Sequence, residues 1–153
     1  VDEGQNFTVI VDYAHTDDSL RKLYETFSSS RKIAVLGSTG GGRDSWKRPV
    51  LGKIADEYCD EILITNEDPY DEDPSKIIAE VASGVTTHTP HIIVDRREAI
   101  AKALSLARIN DTVLITGKGT DPYIMGPHGT KEVWDDAQVV REELEKLGIG
   151  VRN

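Results

Sequence analysis

Cysteine and positive charge are both scarce in this sequence, and each shortage excludes a class of protein. Cys59 is the single cysteine among 153 residues, so an internal disulfide and a cysteine-cluster metal site are excluded. This cysteine usage indicates a reducing compartment, and we expect a cytoplasmic protein. The chain carries 18 basic and 27 acidic side chains, a formal net charge of −9. This excess of negative charge argues against a protein that holds nucleic acid through phosphate contacts.

Long apolar runs are missing as well. No stretch approaches the roughly 20 apolar residues of a membrane-spanning helix, and residues 1–6 lack the layout of a signal peptide. We therefore expect no membrane association. Because the first residue is valine rather than methionine, we expect a piece of a longer or processed protein. With 38% hydrophobic and 29% charged residues, residues 1–153 are predicted to form a single globular domain.

Short apolar runs alternate with segments of helical spacing. Five runs are β-branched or aliphatic almost throughout, as expected of strands covered on both faces: residues 7–11, 32–36, 61–65, 91–94 and 112–116. The segments between them carry helix start signals at Thr16 or Asp17, at Pro49, and at Asp73 with Pro74. A hairpin is predicted over residues 123–134 and a last helix over 135–147. The pattern predicts an α/β fold, a Rossmann-like doubly wound, mostly parallel sheet with a C-terminal β-hairpin and helix.

The residues suited to chemistry follow the predicted strands. In open parallel sheets ligands bind beyond the carboxyl ends of the strands, where loops and helix N-termini converge. The loops concerned are residues 12–18, 37–48, 66–70 and 117–121. The second is rich in glycine, but its spacing fits neither a dinucleotide-binding loop nor a phosphate loop that ends in Gly-Lys-Ser/Thr. It is either a tight turn or a loop that approaches a ligand.

Charged side chains in these loops predict two subsites. Three cations follow the glycines and predict an anion clamp: Arg43, Lys47 and Arg48. Glu67, Asp68 and Asp121 predict a negative pocket that suits an ammonium group, with surface acids of an acidic protein as the alternative. Three roles are compatible with His15, which lies close to Asp12: a general base, a nucleotide contact or a residue at the start of a helix. The other histidines lack metal-ligand spacing, and no metal site is predicted in this chain.

Five motifs in these loops together resemble the carboxy-terminal domain of the Mur ligases, in the order in which that domain carries them. They are residues 12–20 (DYAHTDDSL), 40–49 (GGGRDSWKRP), 66–69 (NEDP), 95–100 (DRREAI) and 117–119 (GKG). The resemblance runs from about residue 12 to residue 147 and so covers nearly the whole chain. It is greatest to the branch that adds the third residue of the peptidoglycan stem peptide.

The resemblance implies an ATP-dependent enzyme that forms a peptide bond in cell-wall biosynthesis. In that family a central ATPase domain binds ATP and Mg²⁺ and phosphorylates the carboxylate of UDP-N-acetylmuramoyl-dipeptide, and the amine of an incoming diamino acid attacks the acyl phosphate. The carboxy-terminal domain binds the diamino acid and completes the ATP site. The N-terminal and central domains are absent from this chain. We therefore expect an inactive isolated domain without a catalytic residue of its own, monomeric, with the central ATPase domain as its partner.

Roles for individual residues follow from the same resemblance. On the nucleotide side, Asp12 matches an aspartate that contacts the ATP ribose, Tyr13 and His15 stand beside it, and Lys47 matches a basic position near the phosphates. On the amino-acid side, Arg43 matches the arginine that grips the carboxylate. Glu67, Asp68 and Pro69 match the first three positions of a D-N-P-R motif, and Gly117 and Asp121 match a glycine and a glutamate at the far end of the amino acid's side chain.

Two departures from the family pattern bear on the amino acid. Tyr70 stands where the motif has an arginine that reads the distal carboxylate of meso-diaminopimelate, and Asp121 is one methylene shorter than the usual glutamate. An acidic pocket without that arginine favours a plain diamine such as lysine or ornithine on Coulomb grounds, although another cation would restore the balance. The sequence does not decide which amino acid is added, and it slightly favours a lysine-like substrate.

Two other functional classes share some features with this sequence. A phospho-receiver signalling domain also has an acid after its first strand, an acid after its third and a lysine after its fifth, as Asp12, Asp68 and Lys118 would be. Its second strand is followed by a short loop, whereas here that loop is the richest in the chain. A dinucleotide-binding module is disfavoured by the glycine spacing and by Leu36 and Gly37, which stand where an acid is required.

Overall fold

A five-stranded parallel sheet forms the centre of the computed structural model, which describes residues 1–42 and 44–148. Its strands are β1 (Thr8–Asp12), β2 (Lys32–Leu36), β3 (Glu61–Ile64), β4 (His91–Ile92) and β5 (Thr112–Thr116). They lie in the order β1-β5-β2-β3-β4, and each neighbouring pair is parallel. Strand β5, the last of the five along the chain, therefore lies between β1 and β2.

Five α-helices of the described part of the chain cover the sheet, and a hairpin follows β5. The helices are α1 (Asp17–Thr26), α2 (Lys47–Tyr58), α3 (Pro74–Ala82), α4 (Arg96–Leu106) and α5 (Asp136–Lys146). The antiparallel hairpin consists of β6 (Tyr123–Met125) and β7 (Lys131–Val133). The predicted α/β doubly wound fold with its hairpin and last helix is confirmed. Among the described residues, no helix has both the length and the apolar surface that a membrane crossing needs.

The core has two layers, one on each face of the sheet. Helices α1, α2 and α3 pack on one face through side chains such as Leu20, Ile54 and Ile78. On the other face α4 and α5 contribute Ile100 and Val140, among others. Successive residues of a strand point to opposite faces, so each buried strand supplies both layers. This is why the strands are continuous apolar runs rather than alternating ones.

Side-chain caps begin several helices where the sequence signals predicted. Thr16 accepts a hydrogen bond from the Ser19 amide and forms a capping box at the start of α1. Asp73 caps α3, in which Pro74 is the first residue, and Asp135 caps α5. Each such cap contributes about 1 kcal/mol to stability.

The fourth strand is shorter than the four residues predicted. Only His91–Ile92 forms a ladder with β3, and the strand lies at the edge of the sheet with Ile92 52% exposed. Beyond it, the carbonyl oxygen of Val94 accepts hydrogen bonds from the Thr65 hydroxyl and from the Asn66 amide. The chain has thus left the regular register by Val94, which a periodicity argument does not detect.

The strand order determines where a crevice opens. The chain leaves β1, β2 and β3 towards the face of α1 to α3, whereas it leaves β4 and β5 towards the other face. Neighbouring strands whose connections go to opposite faces leave a gap beyond their carboxyl ends. Such a gap lies on both sides of β5, and the loops predicted to carry chemistry surround it.

Candidate functional site

The loops after β1 and β5 lie in direct contact. The Gly117 amide donates to the Asp12 carbonyl oxygen at 3.1 Å. A Cβ atom built on Gly119 would lie 2.9 Å from the Cβ of Tyr13, and Gly119 has φ +53. Only glycine accepts both the left-handed backbone and this approach without strain. The two loops therefore form one continuous surface at the edge of the sheet.

Glu67 is enclosed between the loops after β2, β3 and β5. Glu67 is 3% exposed to solvent, and its Oε2 accepts a hydrogen bond from the Thr39 hydroxyl at 3.2 Å. The other oxygen lies in the space that a side chain on Gly117 would need. Burial raises the pKa of the Glu67 carboxyl, although the positive charges of Arg96 and Lys118 act in the opposite direction.

Lys118 supplies a buried cation to the acidic cluster. Its Nζ donates to both carboxylate oxygens of Asp68 at 2.8 and 3.0 Å and lies 3.7 Å from Oδ2 of Asp121. Asp68 also accepts the Met125 amide at 2.8 Å, so its carboxylate joins the β3 and β5 loops to the hairpin. The expectation of an open acidic pocket is therefore wrong for Asp68, because an ammonium group of the chain itself is already bound there.

The glycine-rich loop lies flat against the loop after β3. The Gly40 amide donates to the Asp68 carbonyl oxygen at 2.6 Å, and a Cβ on Gly40 would lie 2.0 Å from the carbonyl oxygen of Pro69. A glycine is therefore required at this position for close backbone approach. Arg43, which follows these glycines in the sequence and was assigned to the amino acid's carboxylate, lies outside the described residues.

Arg48 does not take part in an anion clamp. It is 1% exposed, and its guanidinium donates to Glu72, to Glu80 and to the carbonyl oxygen of Thr39. The prediction that Arg48 belongs to an anion clamp is wrong, because α2 turns this residue inward, towards the carboxylates of Glu80 in α3 and of Glu72 in the loop before it. Lys47 stays at the surface, with its Nζ 3.7 Å from Asp44 and 5.5 Å from the centre of the Trp46 ring.

Tyr70 borders a groove of about 450 Å³ between the glycine-rich loop and the loop after β3. Its φ of +52 is in the left-handed region, and its amide donates to the Met125 carbonyl oxygen at 3.1 Å. The residues that line this groove are Gly41, Gly42, Ser45, Tyr70, Asp71, Glu72 and Lys76. A lysine ammonium and an aromatic ring thus share a cleft at the place where the family motif has an arginine.

The predicted nucleotide residues of the β1 loop lie side by side. Asp12 accepts the Ala14 amide at 2.8 Å through Oδ1. Tyr13 is 53% exposed, and its ring stands edge-on to the His15 ring with 4.7 Å between the ring centres. His15 also has Nδ1 3.0 Å from the Tyr13 carbonyl oxygen. This arrangement offers an exposed aromatic surface and a carboxylate to a ligand.

Arg96 is a buried arginine beneath the loops of the candidate site, and the sequence analysis assigned it no individual role. Arg96 forms a two-pronged ion pair with Asp136 at 2.9 and 2.7 Å and donates to the carbonyl oxygens of Asn66 and Thr116 at 3.1 Å. It thereby joins the ends of β3 and β5. Trp134 donates its indole N–H to the same Asp136 at 2.7 Å. Arg96 belongs to the motif at residues 95–100, which marked it as a residue of interest. Its partner Asp136 lies 40 positions away, so the sequence did not indicate the ion pair.

Acidic and histidine side chains do not converge on a metal position in the described part of the chain. No group of three or more histidine, cysteine, aspartate or glutamate residues is close enough there to hold a metal ion. The site instead consists of carboxylates, buried cations and glycine backbone, which is suited to binding small zwitterionic or polar ligands through charge-assisted hydrogen bonds.

Comparison with known proteins identifies relatives of the whole chain. A family model described as "Mur ligase, glutamate ligase domain" matches residues 1–119. A protein of Syntrophomonas wolfei is 46% identical over 150 residues, which are 94% of this chain and 30% of that protein. A protein of Aquifex aeolicus is 43% identical over 145 residues, 92% of this chain and 30% of that protein. Both are named UDP-N-acetylmuramoyl-L-alanyl-D-glutamate--2,6-diaminopimelate ligase.

A third relative and a solved structure agree with these two. A protein of Roseiflexus sp., named UDP-N-acetylmuramyl-tripeptide synthetase, is 42% identical over 160 residues, 98% of this chain and 31% of that protein. A solved structure of a UDP-N-acetylmuramoyl-L-alanyl-D-glutamate--2,6-diaminopimelate ligase superposes with a TM-score of 0.86 at 34% identity. The superposition covers 94% of this chain and 30% of that one.

Proposed function

The chain belongs to the Mur ligase family as its carboxy-terminal domain, and on that premise we propose that it serves an ATP-dependent ligase of peptidoglycan biosynthesis. The ligase adds a diamino acid to UDP-N-acetylmuramoyl-dipeptide. The chain spans about 30% of the length of the curated relatives it matches. ATP, Mg²⁺, the dipeptide and a central ATPase domain are therefore assigned to the longer protein, in the cytoplasm, and this chain supplies the amino-acid pocket.

One observation carries the proposal: three loops predicted to hold the amino acid meet at one edge of the sheet. Thr39 contacts Glu67, Glu67 lies against Gly117, and Lys118 bridges Asp68 towards Asp121. These residues come from the ends of β2, β3 and β5. Such convergence favours a shared ligand site over separate surface features. A phospho-receiver function has no support, because the family model and the named relatives are ligases.

We propose 2,6-diaminopimelate as the incoming amino acid, ahead of lysine and ornithine. The Coulomb argument for a plain diamine required unpaired acids, whereas Asp68 is paired with Lys118. Lys76 also lines the groove beside Tyr70 and brings an exposed ammonium group there, with its Nζ 3.8 Å from a carboxylate oxygen of Glu72 and 3.8 Å from one of Glu80. Two relatives that cover nearly the whole chain are named for 2,6-diaminopimelate. These three points support a substrate with a carboxylate at its far end.

The β1 loop fits the outer part of a bound nucleotide. Asp12 uses Oδ1 for the Ala14 amide, and a carboxylate has a second oxygen with which to accept a ribose hydroxyl. The exposed ring of Tyr13 suits contact with a base. Lys47, in the first turn of α2, would lie on the phosphate side. ATP supplies the phosphoryl group that activates the dipeptide carboxylate; this chain orients the amine of the amino acid towards it.

An amino-acid screen of the full-length protein tests the proposal. ATP, Mg²⁺ and UDP-N-acetylmuramoyl-dipeptide are combined with meso-diaminopimelate, lysine or ornithine, and ADP release that depends on both dipeptide and amino acid is measured. We expect kcat/KM for meso-diaminopimelate to exceed the others at least ~10-fold, which is about 1.4 kcal/mol of discrimination. The isolated chain serves as control and should turn over no ATP. Absence of amino-acid-dependent ADP release by the full-length protein would refute the assignment.

A further inference from the structure

The outer end of the glycine loop, defined as residues 37–42, is not held by packing. Gly41 has φ +94 and Gly42 has φ +76, so both residues are in the left-handed region. A Cβ atom built on either residue would meet nothing within 4 Å. Side-chain packing at these two positions therefore does not hold this part of the loop, so backbone hydrogen bonds contribute to its position.

Glu72 supplies such a hydrogen bond from across the groove. Its Oε1 accepts the Gly42 amide at 2.9 Å, although the two residues are 30 positions apart. Glu72 lies in the loop just before α3, Gly42 lies in the glycine loop, and both residues line the groove. This hydrogen bond therefore joins the two loops that border the groove.

Arg48 holds the Glu72 carboxylate in place. Its NH1 donates to Oε2 at 2.6 Å and its NH2 donates to Oε1 at 3.0 Å, a two-pronged ion pair with a guanidinium that is almost fully buried. The same NH2 donates to the carbonyl oxygen of Thr39 at 3.2 Å, so Arg48 contacts the inner end of the glycine loop as well. A pair of this geometry permits little rotation of either side chain.

The charge of Glu72 persists over the working pH range. The pKa of the Glu72 carboxyl is lowered to about 2, chiefly by the ion pair with Arg48 and in part by the hydrogen bond from the Gly42 amide. The hydrogen bond to Gly42 is thus accepted by an ionised oxygen, which makes it about twice as strong as a neutral one.

We propose that Glu72, held by Arg48, is a positioning residue that fixes the glycine loop across the groove and thereby sets the site for the incoming amino acid. The inference rests on the proposed function for the identity of the ligand. Arg43, assigned to the carboxylate of that amino acid, is the next residue after Gly42 in the sequence. A displacement of about 1 Å in a binding group can cost roughly 100-fold in rate.

Glu80 provides a matched control. It accepts a hydrogen bond from the same Arg48 guanidinium at 2.8 Å, but among the described residues Glu80 accepts no hydrogen bond from the glycine loop. Glu72→Gln and Glu80→Gln each remove one negative charge next to Arg48 with almost no change in volume. They differ in the contact with Gly42, so a difference between the two variants reports on the loop.

The experiment measures steady-state kinetics of the full-length protein with each variant. For Glu72→Gln we expect KM for the amino acid to rise about 10- to 100-fold, while KM for ATP and for the dipeptide changes less than about 2-fold. For Glu80→Gln we expect all three values within about 2-fold of wild type. Arg48→Lys, which keeps a charge but not the two-pronged pair, should give an intermediate rise. A Glu72→Gln variant with a lower melting temperature but an unchanged KM for the amino acid would overturn the proposal.

Hydrogen exchange separates this inference from the proposed function. In the full-length protein we expect the amides of Gly41 and Gly42 to exchange at least ~10-fold faster in Glu72→Gln than in Glu80→Gln, since only the first loses the ionised acceptor. If the wild-type protein showed no ligase activity, the proposed function would fail. The exchange difference would still show whether Glu72 holds the glycine loop in place. Equal exchange in the two variants would overturn the positioning role.

Discussion

Oε1 of Glu67 lies where the side chain of any residue other than glycine at position 117 would begin. A Cβ atom built on Gly117 would be 1.9 Å from that oxygen, and Gly117 has φ +103. The glycine after β5 and the acid after β3 are therefore fitted to each other, although 50 positions separate them in the chain. This relationship brings together two loops that the family resemblance assigns to one ligand.

Gly117→Ala should be strongly destabilising. The new methyl group must displace the enclosed Glu67 carboxylate, and the left-handed backbone adds strain. We expect a loss of about 2–4 kcal/mol in the free energy of unfolding, measured by chemical denaturation. Gly129→Ala is the control, since Gly129 has φ +71 but nothing within 4 Å of a built Cβ, and only the backbone cost of about 1 kcal/mol should remain. Equal losses in the two variants would contradict the clash with Glu67.

Glu67→Gln should change how stability depends on pH. Burial raises the pKa of the Glu67 carboxyl above its unfolded value of about 4.3. The native state then holds the proton more tightly than the unfolded state, so stability falls as pH rises from the unfolded pKa to the folded one. Relative to wild type, the glutamine variant should gain unfolding free energy between pH 4 and pH 7. Urea denaturation at a series of pH values measures this gain, and a flat difference would refute it.

Glu72→Gln should show the opposite pH dependence. The folded pKa of Glu72 is lowered to about 2, so its ionised form stabilises the native state above the unfolded pKa of about 4.3. That contribution is lost as pH falls towards 2. The variant should be less stable than wild type by about 3 kcal/mol at pH 6, as when one partner of a buried ion pair is removed. The deficit should shrink as pH falls from about 4 to about 2, which the same denaturation series detects.

Lys118→Met should be costly although lysine and methionine are similar in size. The variant leaves Asp68 enclosed with the Met125 amide but without its ammonium partner. We expect a loss of about 3–5 kcal/mol in unfolding free energy. Lys47→Met is the control, because the ion pair of Lys47 with Asp44 is at the surface and should contribute less than about 1 kcal/mol. A loss below 1 kcal/mol for Lys118→Met would show that Asp68 finds another partner.

Arg43→Ala tests a role that the family resemblance alone assigns. If the guanidinium grips the carboxylate of the incoming amino acid, its loss should raise KM for that amino acid far more than KM for ATP in the full-length enzyme. A rise of about 10- to 100-fold against less than about 3-fold would fit a charge-assisted pair. Steady-state kinetics with each substrate varied in turn gives both numbers. Equal rises would exclude the assigned role.

The convergence of the loops at the candidate site was predictable from the sequence, but the pairing of their charged side chains was not. The loops after β1, β2, β3 and β5 were identified from the strand pattern, and the structure brings them to one edge of the sheet. The same reasoning treated Asp68 and Arg48 as available to a ligand. Each is instead bound to a side chain of the chain itself, Asp68 to Lys118 and Arg48 to Glu72, which are 50 and 24 positions away.

Local sequence alone determined the elements of this fold and the edge of the sheet at which the loops of the candidate site lie. The continuous apolar run of β5, the capping box at Thr16 and the proline at the start of α3 all act within a few residues, and such short-range preferences can be read from the chain. Only the tertiary structure decided which charged side chains pair with one another. Burial makes an unpaired charge so unfavourable that a buried side chain must find its partner wherever packing brings one, at any distance along the sequence.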